Sequence, residues 1–150
     1  MKFESIKTFL NLKNIAVVGV SRSSSGFGLT VYNHLKHNGY TVFAVNRKGG
    51  FSNNIKLYNS LFKIEYQLDG IITIIPPSET EILVEQAIDL GIKNIWMQQG
   101  SESKNAIELC RNNNINVIYN ECILMFAEPV SSIHRFHRLI NKLIGKYPKM

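Results

Sequence analysis

The chain has 150 residues, of which 45% are hydrophobic and 19% charged, so it carries enough apolar material for a single domain over 1–150 with its own core. Neither an apolar run near the roughly 20 residues of a membrane-spanning helix nor a signal-peptide pattern occurs, which argues against contact with a membrane and predicts a cytoplasmic protein. The formal net charge of +6 comes without a nucleic-acid-binding motif, so we expect no nucleic acid and interpret the charge as a basic surface, leaving open an anionic small ligand, an acidic protein partner or a homo-oligomer.

Apolar runs and amphipathic segments alternate along the chain, as the strands and helices of an α/β domain do. The segments 1–11 and 27–38 show apolar residues at helical spacing, and Gly39 follows the second as a helix C-terminal residue. Ser78 can cap the next helix, which ends at Gly91. Strands are predicted at 14–20, 40–46, 69–75, 93–97 and 116–119, and the remaining helices at 103–113 and 131–145.

This order of elements predicts a Rossmann-like, doubly wound α/β fold, with a parallel five-stranded sheet and helices on both of its faces. In such sheets a ligand binds beyond the carboxyl ends of the strands, at the point where the strand order reverses. We therefore expect the loops that begin at Ser21, Arg47, Pro76 and Gln98 to share one crevice.

The loop after the first strand, SRSSSGFG, lacks both common phosphate-binding fingerprints. Counted from Gly19, the dinucleotide fingerprint needs glycine where Ser21 and Ser24 stand, and no lysine follows a glycine pair as a P-loop requires. The loop nevertheless offers small residues, an arginine and a helix N-terminus, all of which suit a phosphate group. A phosphate site and an ordinary flexible loop are the two interpretations.

The second strand ends in Asn46, where NAD-binding proteins place an acidic residue that accepts hydrogen bonds from the adenosine ribose. Arg47 and Lys48 follow it. The missing acid and the two cations favour a ribose that carries a phosphate, which NADP and coenzyme A (CoA) both have. The alternative is that each cation is a solvated surface residue.

Five segments, in their order and spacing, carry a resemblance to a known family: AVVGVSRSSSGFG, GYTVFAVN, DGIITIIPPSET, GIKNIWMQQGSES and NECILMFAEPV. Over nearly its whole length the chain resembles the small stand-alone CoA-binding domain family, and it is similar to the N-terminal CoA-binding domain of the succinyl-CoA synthetase alpha subunit. The resemblance implies that the ligand is CoA or an acyl-CoA.

The resemblance also implies roles for the matching residues, all of which lie in loops that follow strands. The loop implied to wrap the CoA diphosphate contains Ser21, Arg22, Ser25, Gly26, Phe27 and Gly28. Lys48, in the segment RKGG, is implied to approach the adenosine phosphate, beside Asn46 and Arg47. The residues implied to lie against adenine are Pro76 and Pro77, and those near the pantetheine arm are Gln98, Gln99 and Gly100, while Cys122 matches a cysteine common in the family.

One departure from the family pattern concerns the turn that carries Lys48. Many relatives have Val-Asn-Pro where this chain has Val45-Asn46-Arg47. Because proline fixes its own backbone angle, we expect the turn to lose the rigidity that proline gives.

Candidate catalytic groups are few. Cys122 is the one plausible nucleophile, but Glu121 beside it opposes a lowered thiol pKa, so an inert buried thiol is the alternative. A thiol near the CoA sulfur would also permit a mixed disulfide. His134 and His137 could share a metal with Cys122, but no metal-binding motif frames them, and we expect surface histidines and no metal.

Glu79, Glu81 and Glu85 lie along one predicted helix, and we interpret them as partners of the helix dipole on a solvated face.

We predict a module that recognises CoA or an acyl-CoA and has no catalytic residue of its own. The alternatives are an NADP-dependent oxidoreductase that uses the same crevice, and a redox or regulatory protein that acts through Cys122.

Overall fold

The computed structural model describes residues 2–127, so the helix expected at 131–145 lies outside the described residues. The strands are β1 (Asn14–Val18), β2 (Thr41–Val45), β3 (Gly50–Ser52), β4 (Ile55–Tyr58), β5 (Gly70–Thr73), β6 (Asn94–Gln98) and β7 (Asn116–Glu121). The helices are α1 (Lys2–Leu10), α2 (Phe27–His37), α3 (Pro77–Asp89) and α4 (Lys104–Asn112).

These strands form one sheet in the order β3-β4-β2-β1-β5-β6-β7. All neighbours pair in parallel except β3 and β4, which are antiparallel. The chain moves outward from β1 to one edge and then returns to β5 on the other side of β1, so the strand order reverses between β1 and β5. Val18 pairs with both Val45 and Thr73, which brings the carboxyl ends of three strands together at that point.

The predicted doubly wound α/β fold is confirmed, but the sheet has seven strands and not the expected five. The additional pair, β3 and β4, is a hairpin joined by Asn53 and Asn54, with Asn53 in the left-handed region at φ 52°. Strands of three and four residues are too short for an alternation of apolar and polar residues to reveal them. Asparagine tolerates a positive φ better than most residues, and this is the signal that the sequence offers for the turn.

Each face of the sheet is covered by its own layer of helices. One core cluster joins α1 and α2 to the sheet and includes Phe9, Leu35 and Trp96, whereas the other joins α3 and α4 and includes Val84 and Ala106. The continuous apolar run of β1 reflects this burial on both sides. None of the helices within residues 2–127 combines the length and the apolar composition needed to cross a membrane.

Helix α3 begins two residues earlier than its expected cap would place it. Ser78 lies inside the helix, and Pro76 occupies the N-cap position with its carbonyl accepting from the N–H groups of Glu79 (3.0 Å) and Thr80 (3.1 Å). Pro77 takes the first helical position, where a missing N–H breaks no helical hydrogen bond. The Pro76-Pro77 pair therefore sets the start of α3, and the expectation that Ser78 caps it is wrong.

Candidate functional site

A cleft of about 510 Å³ opens at the carboxyl ends of β1, β2 and β5, at the point where the strand order reverses. One wall comes from the strand ends and the loops that follow them, and the other from the exposed side of α3. The residues that line it are Val18, Gly19, Val45, Asn46, Arg47, Asn59, Ser60, Leu61, Ile75, Pro76, Glu79, Ile82, Leu83 and Gln86.

Two glycines allow the end of β1 to pack closely on its neighbours. Gly19 has φ +112°, and a Cβ atom on it would stand 2.1 Å from the carbonyl oxygen of Ile74. A Cβ on Gly28 would stand 2.3 Å from the carbonyl oxygen of Gly19. Because Gly19 lines the cleft, this contact holds the first turn of α2 directly beside it.

The N-terminus of α2 is open to a ligand. Its N-cap is Gly26, at φ 117° and ψ 156°, and no side chain in the described part of the chain caps it with a hydrogen bond. The N–H groups of a first helical turn have no partner within the helix and carry the positive end of the helix dipole. Such a terminus is suited to binding an anion, and phosphate groups bind there in other proteins.

Hydrogen bonds among serines hold the loop between β1 and α2. The hydroxyls of Ser21 and Ser23 lie 2.8 Å apart, the Ser23 N–H donates to the Ser21 hydroxyl, and the Ser23 hydroxyl donates to the Ser25 carbonyl. Ser52, fully buried in β3, donates its hydroxyl to the Ser23 carbonyl at 3.1 Å. The edge hairpin therefore contacts the loop through this hydrogen bond.

Asn46 connects the ends of β1 and β2. Its Nδ2 group donates to the Val20 carbonyl at 2.8 Å, and its Oδ1 atom accepts from the Lys48 N–H at 2.9 Å. The Asn46 carbonyl accepts from the Gly49 N–H at 2.7 Å, which closes the turn. Three hydrogen bonds of one asparagine therefore hold this turn, in which Arg47 stands in place of the expected proline.

The cationic residues lie around this turn. The Nε and Nη2 atoms of Arg22 lie 3.9 Å from the point where a Cβ on Gly50 would stand, so the arginine of the first loop lies against the start of β3. Lys48 is exposed at the tip of the turn. Arg47 points into the cleft, where its Nη1 atom lies 3.4 Å from the Oε1 atom of Glu79.

Helix α3 contributes four lining residues that the sequence analysis does not assign to the site: Glu79, Ile82, Leu83 and Gln86. Their spacing, at positions i, i+3, i+4 and i+7, places them on one side of the helix. Ile82 is 59% exposed, and the signal that the sequence offers for this wall is an isoleucine at helical spacing between the polar residues Glu79 and Gln86. Asn59, Ser60 and Leu61, which follow β4, are also missing from the prediction, because the hairpin that brings them there is not predicted.

The loop after β6 lies at the same edge of the sheet but does not line the cleft. Gln98 is only 4% exposed, and its Oε1 atom accepts from the Ile123 N–H at 3.1 Å. Gln99 is exposed, and Gly100 has φ +93°. The Ser101 hydroxyl accepts from the Ile75 N–H at 3.0 Å, which ties this loop to the rim of the cleft.

The two cysteines differ in their surroundings, and both are free. Cys110 is fully buried in α4, and burial raises the pKa of its thiol to about 12. Cys122 is half-buried and precedes a short 3-10 turn, Ile123–Met125. The bond between Gln98 and Ile123 brings Cys122 near the loop after β6, so of the two thiols it is the one that a ligand at this edge could reach.

The structure thus brings some of the predicted residues together and leaves others apart. Asn46, Arg47 and Pro76 line the cleft, and the loop from Ser21 to Gly28 adjoins it through Gly19. The remaining predicted residues stand at the same edge outside the cleft lining: Lys48, Pro77, Gln98, Gln99, Gly100 and Cys122. Of the four loops expected to share one crevice, three therefore meet in it or beside it.

Within residues 2–127, no three histidine, cysteine or acidic side chains come close enough to hold a metal ion. His134 and His137, considered above as metal ligands with Cys122, lie outside the described residues.

Comparisons with known proteins identify relatives of this chain by sequence and by fold. A curated relative is the alpha subunit of an ADP-forming acetate–CoA ligase from Pyrococcus furiosus, 26% identical over 95 residues, which are 59% of this chain and 21% of the ligase subunit. This chain therefore spans about a fifth of that relative's length.

Solved structures resemble the chain over almost its whole length. A hypothetical protein from Pyrococcus horikoshii is 26% identical, with a TM-score of 0.74 over 97% of this chain and 94% of its own. A protein redesigned for binding superposes with a TM-score of 0.77 at 22% identity, over 100% of this chain and 97% of its own, and shows a shared fold. The family model that describes a CoA binding domain matches residues 13–128, which include every element from β1 to β7, and the chain therefore belongs to the CoA-binding domain family.

Proposed function

We propose that this protein binds CoA or an acyl-CoA at the carboxyl ends of its strands, with the adenosine half in the cleft. The observation that carries the proposal is the position of the cleft, which opens at the strand-order reversal directly beside the uncapped N-terminus of α2. Membership of the CoA-binding domain family supports the same ligand.

The proposed contacts follow the charges of the site. The diphosphate binds at the first turn of α2 and the loop of Ser21, Arg22 and Ser25, where N–H groups and a guanidinium group attract anions. The ribose phosphate binds near the turn that carries Arg47 and Lys48. The adenine ring, an apolar plane with polar edges, packs between the apolar residues of the cleft wall, with Pro76 on one side.

The pantetheine arm, in this proposal, leaves the cleft toward the loop after β6 and ends near Cys122. Two contacts support that direction, since Ser101 joins this loop to the cleft rim at Ile75 and Gln98 joins it to the backbone next to Cys122. A thiol or acyl group would then lie close to the half-buried cysteine.

We propose that the role is recognition and not catalysis. Cys122 is the nucleophile near the proposed thiol end of the ligand, and within the described residues no hydrogen bond joins its sulfur to a basic side chain that could activate it. The activity of the acetate–CoA ligase belongs to a much longer protein, and we propose for this chain only the binding of the coenzyme.

A thermal-shift panel with CoA, acetyl-CoA, NADP, NAD and ATP tests the proposal. A ligand that binds only the folded state at 100 times its Kd stabilises that state by about 2.7 kcal/mol, which for a chain of this size raises the Tm by roughly 5–10 °C. We expect this rise with CoA and acetyl-CoA. A rise confined to NADP would instead support the oxidoreductase alternative and overturn the assignment.

A further inference from the structure

The cleft holds one ion pair that joins its two walls. Arg47 comes from the turn after β2 and Glu79 from the first turn of α3, and their side chains approach to 3.4 Å with exposed fractions of 80% and 39%. Among the described residues that line the cleft, these two are the only charged ones. The charge that a ligand meets inside the cleft therefore depends on this pair.

The start of α3 explains why Glu79 faces the cleft. Glu79 is the third residue of the helix, the position from which a glutamate often bonds back to the N–H of the N-cap residue. The N-cap is Pro76, which has no N–H to donate. The carboxylate is therefore free of the usual capping bond and pairs with Arg47 instead.

Asn46 cannot replace Arg47 as a partner for an anionic group, because its amide is neutral. Both the Nδ2 and the Oδ1 atoms of that amide already bond to backbone groups, of Val20 and Lys48. Arg47 is thus the one cation that residues 2–127 place inside the cleft for an anionic group, and Glu79 already pairs with it. A ligand phosphate must compete with the carboxylate for the guanidinium group and must also lie close to a negative charge.

From this competition we infer that Glu79 sets the selectivity of the cleft, lowering its preference for ligands that carry a phosphate on the adenosine ribose. The inference rests on the proposed binding of adenosine in the cleft. It predicts that removal of the Glu79 charge frees Arg47 and strengthens the binding of CoA, which carries the ribose phosphate, but not that of dephospho-CoA, which lacks it.

Isothermal titration with CoA and dephospho-CoA, at one fixed ionic strength, tests the inference on five proteins: the wild type, the single variants Glu79→Gln, Glu85→Gln and Arg47→Gln, and the double variant Arg47→Gln/Glu79→Gln. Two unit charges about 4 Å apart in a water-like environment interact by an amount equal to about a fivefold change in affinity. We expect Glu79→Gln to raise the affinity ratio of CoA to dephospho-CoA about fivefold. Glu85→Gln removes the same charge from an exposed position of α3 outside the cleft lining and should leave the ratio within twofold of the wild type.

Arg47→Gln should lower the affinity ratio, and the double variant with Glu79→Gln should show little of the gain seen in the single variant, because no cation remains to be released. If Glu79→Gln leaves the affinity ratio of CoA to dephospho-CoA unchanged, whether or not both affinities fall equally, the inference is overturned. The proposal that the protein binds CoA would still stand. The equal weakening would identify Glu79 as an acceptor for the nucleoside. If the wild type fails to bind CoA, the proposed function falls, and this inference falls with it.

Discussion

For the substitution Gly28→Ala, helix propensity and packing predict changes in stability of opposite sign. It is the second residue of α2, and in an exposed helix a change from glycine to alanine stabilises by up to about 1 kcal/mol. Here the added methyl group would stand 2.3 Å from the carbonyl oxygen of Gly19 and 3.1 Å from the Cα atom of Val20. Both contacts are with backbone, so no flexible side chain can move aside to relieve them.

The size of the effect follows from these distances. Adding a methyl group to a well-packed site costs about 1–3 kcal/mol, and a contact more than 1 Å shorter than an ordinary one, against backbone, belongs at the upper end of that range. After the gain in helix propensity is subtracted, we expect Gly28→Ala to destabilise the protein by about 1–2 kcal/mol. For a chain of this length the Tm should fall by roughly 2–8 °C.

Thermal unfolding followed by circular dichroism measures the change, with Asn33→Ala as the control. Asn33 is exposed in the same helix, so its replacement reports helix propensity alone and should leave the Tm unchanged or slightly higher. Titration of Gly28→Ala with CoA should also show weaker binding, because the first turn of α2 must move away from the end of β1. A Tm for Gly28→Ala equal to or above that of the wild type would refute the close approach of α2 to β1.

Three further predictions concern the turn and the thiols. Lys48→Glu should weaken CoA about tenfold more than dephospho-CoA in isothermal titration, because it reverses a charge near the proposed ribose phosphate; equal losses would place the lysine elsewhere. Asn46→Ala removes hydrogen bonds to the Val20 carbonyl and the Lys48 N–H and should lower the free energy of unfolding, measured in urea, by about 2 kcal/mol. A decrease below about 0.5 kcal/mol, which is half of one net hydrogen bond, would contradict the conclusion that Asn46 holds the turn. At pH 8 iodoacetamide should label Cys122 and leave Cys110 intact, because burial raises the pKa of the Cys110 thiol to about 12; peptide mass spectrometry that finds both labelled equally would show that α4 is less closely packed than described.

The sequence predicts the parts of this fold that depend on regular patterns. The apolar run of β1 and the helical spacing of α2 identify the first strand, its loop and its helix, and the alternation of strands and helices indicates a parallel sheet. The hairpin of β3 and β4 is missed because strands of three and four residues carry too few positions to show a period. Its consequences, the contact of Ser52 with the first loop and the entry of Asn59 into the cleft, are missed with it.

The direction of individual side chains is the second thing that the sequence does not reveal. Arg47 and Lys48 are adjacent cations, yet only Arg47 lines the cleft. Glu79 is interpreted from the sequence as a partner of the helix dipole, and it does stand in the first turn of α3. Its pairing with Arg47 depends on how α3 packs against the sheet, which a periodicity along one helix cannot specify.

The serine contacts of the first loop bear on how fast a ligand binds. Because the hydroxyls of Ser21 and Ser23 and the buried hydroxyl of Ser52 already hold the loop, a ligand that arrives finds its backbone in place and loses little affinity to the ordering of the chain. Association should then follow a single exponential phase whose rate rises linearly with ligand concentration. No slow isomerisation should precede or follow the encounter.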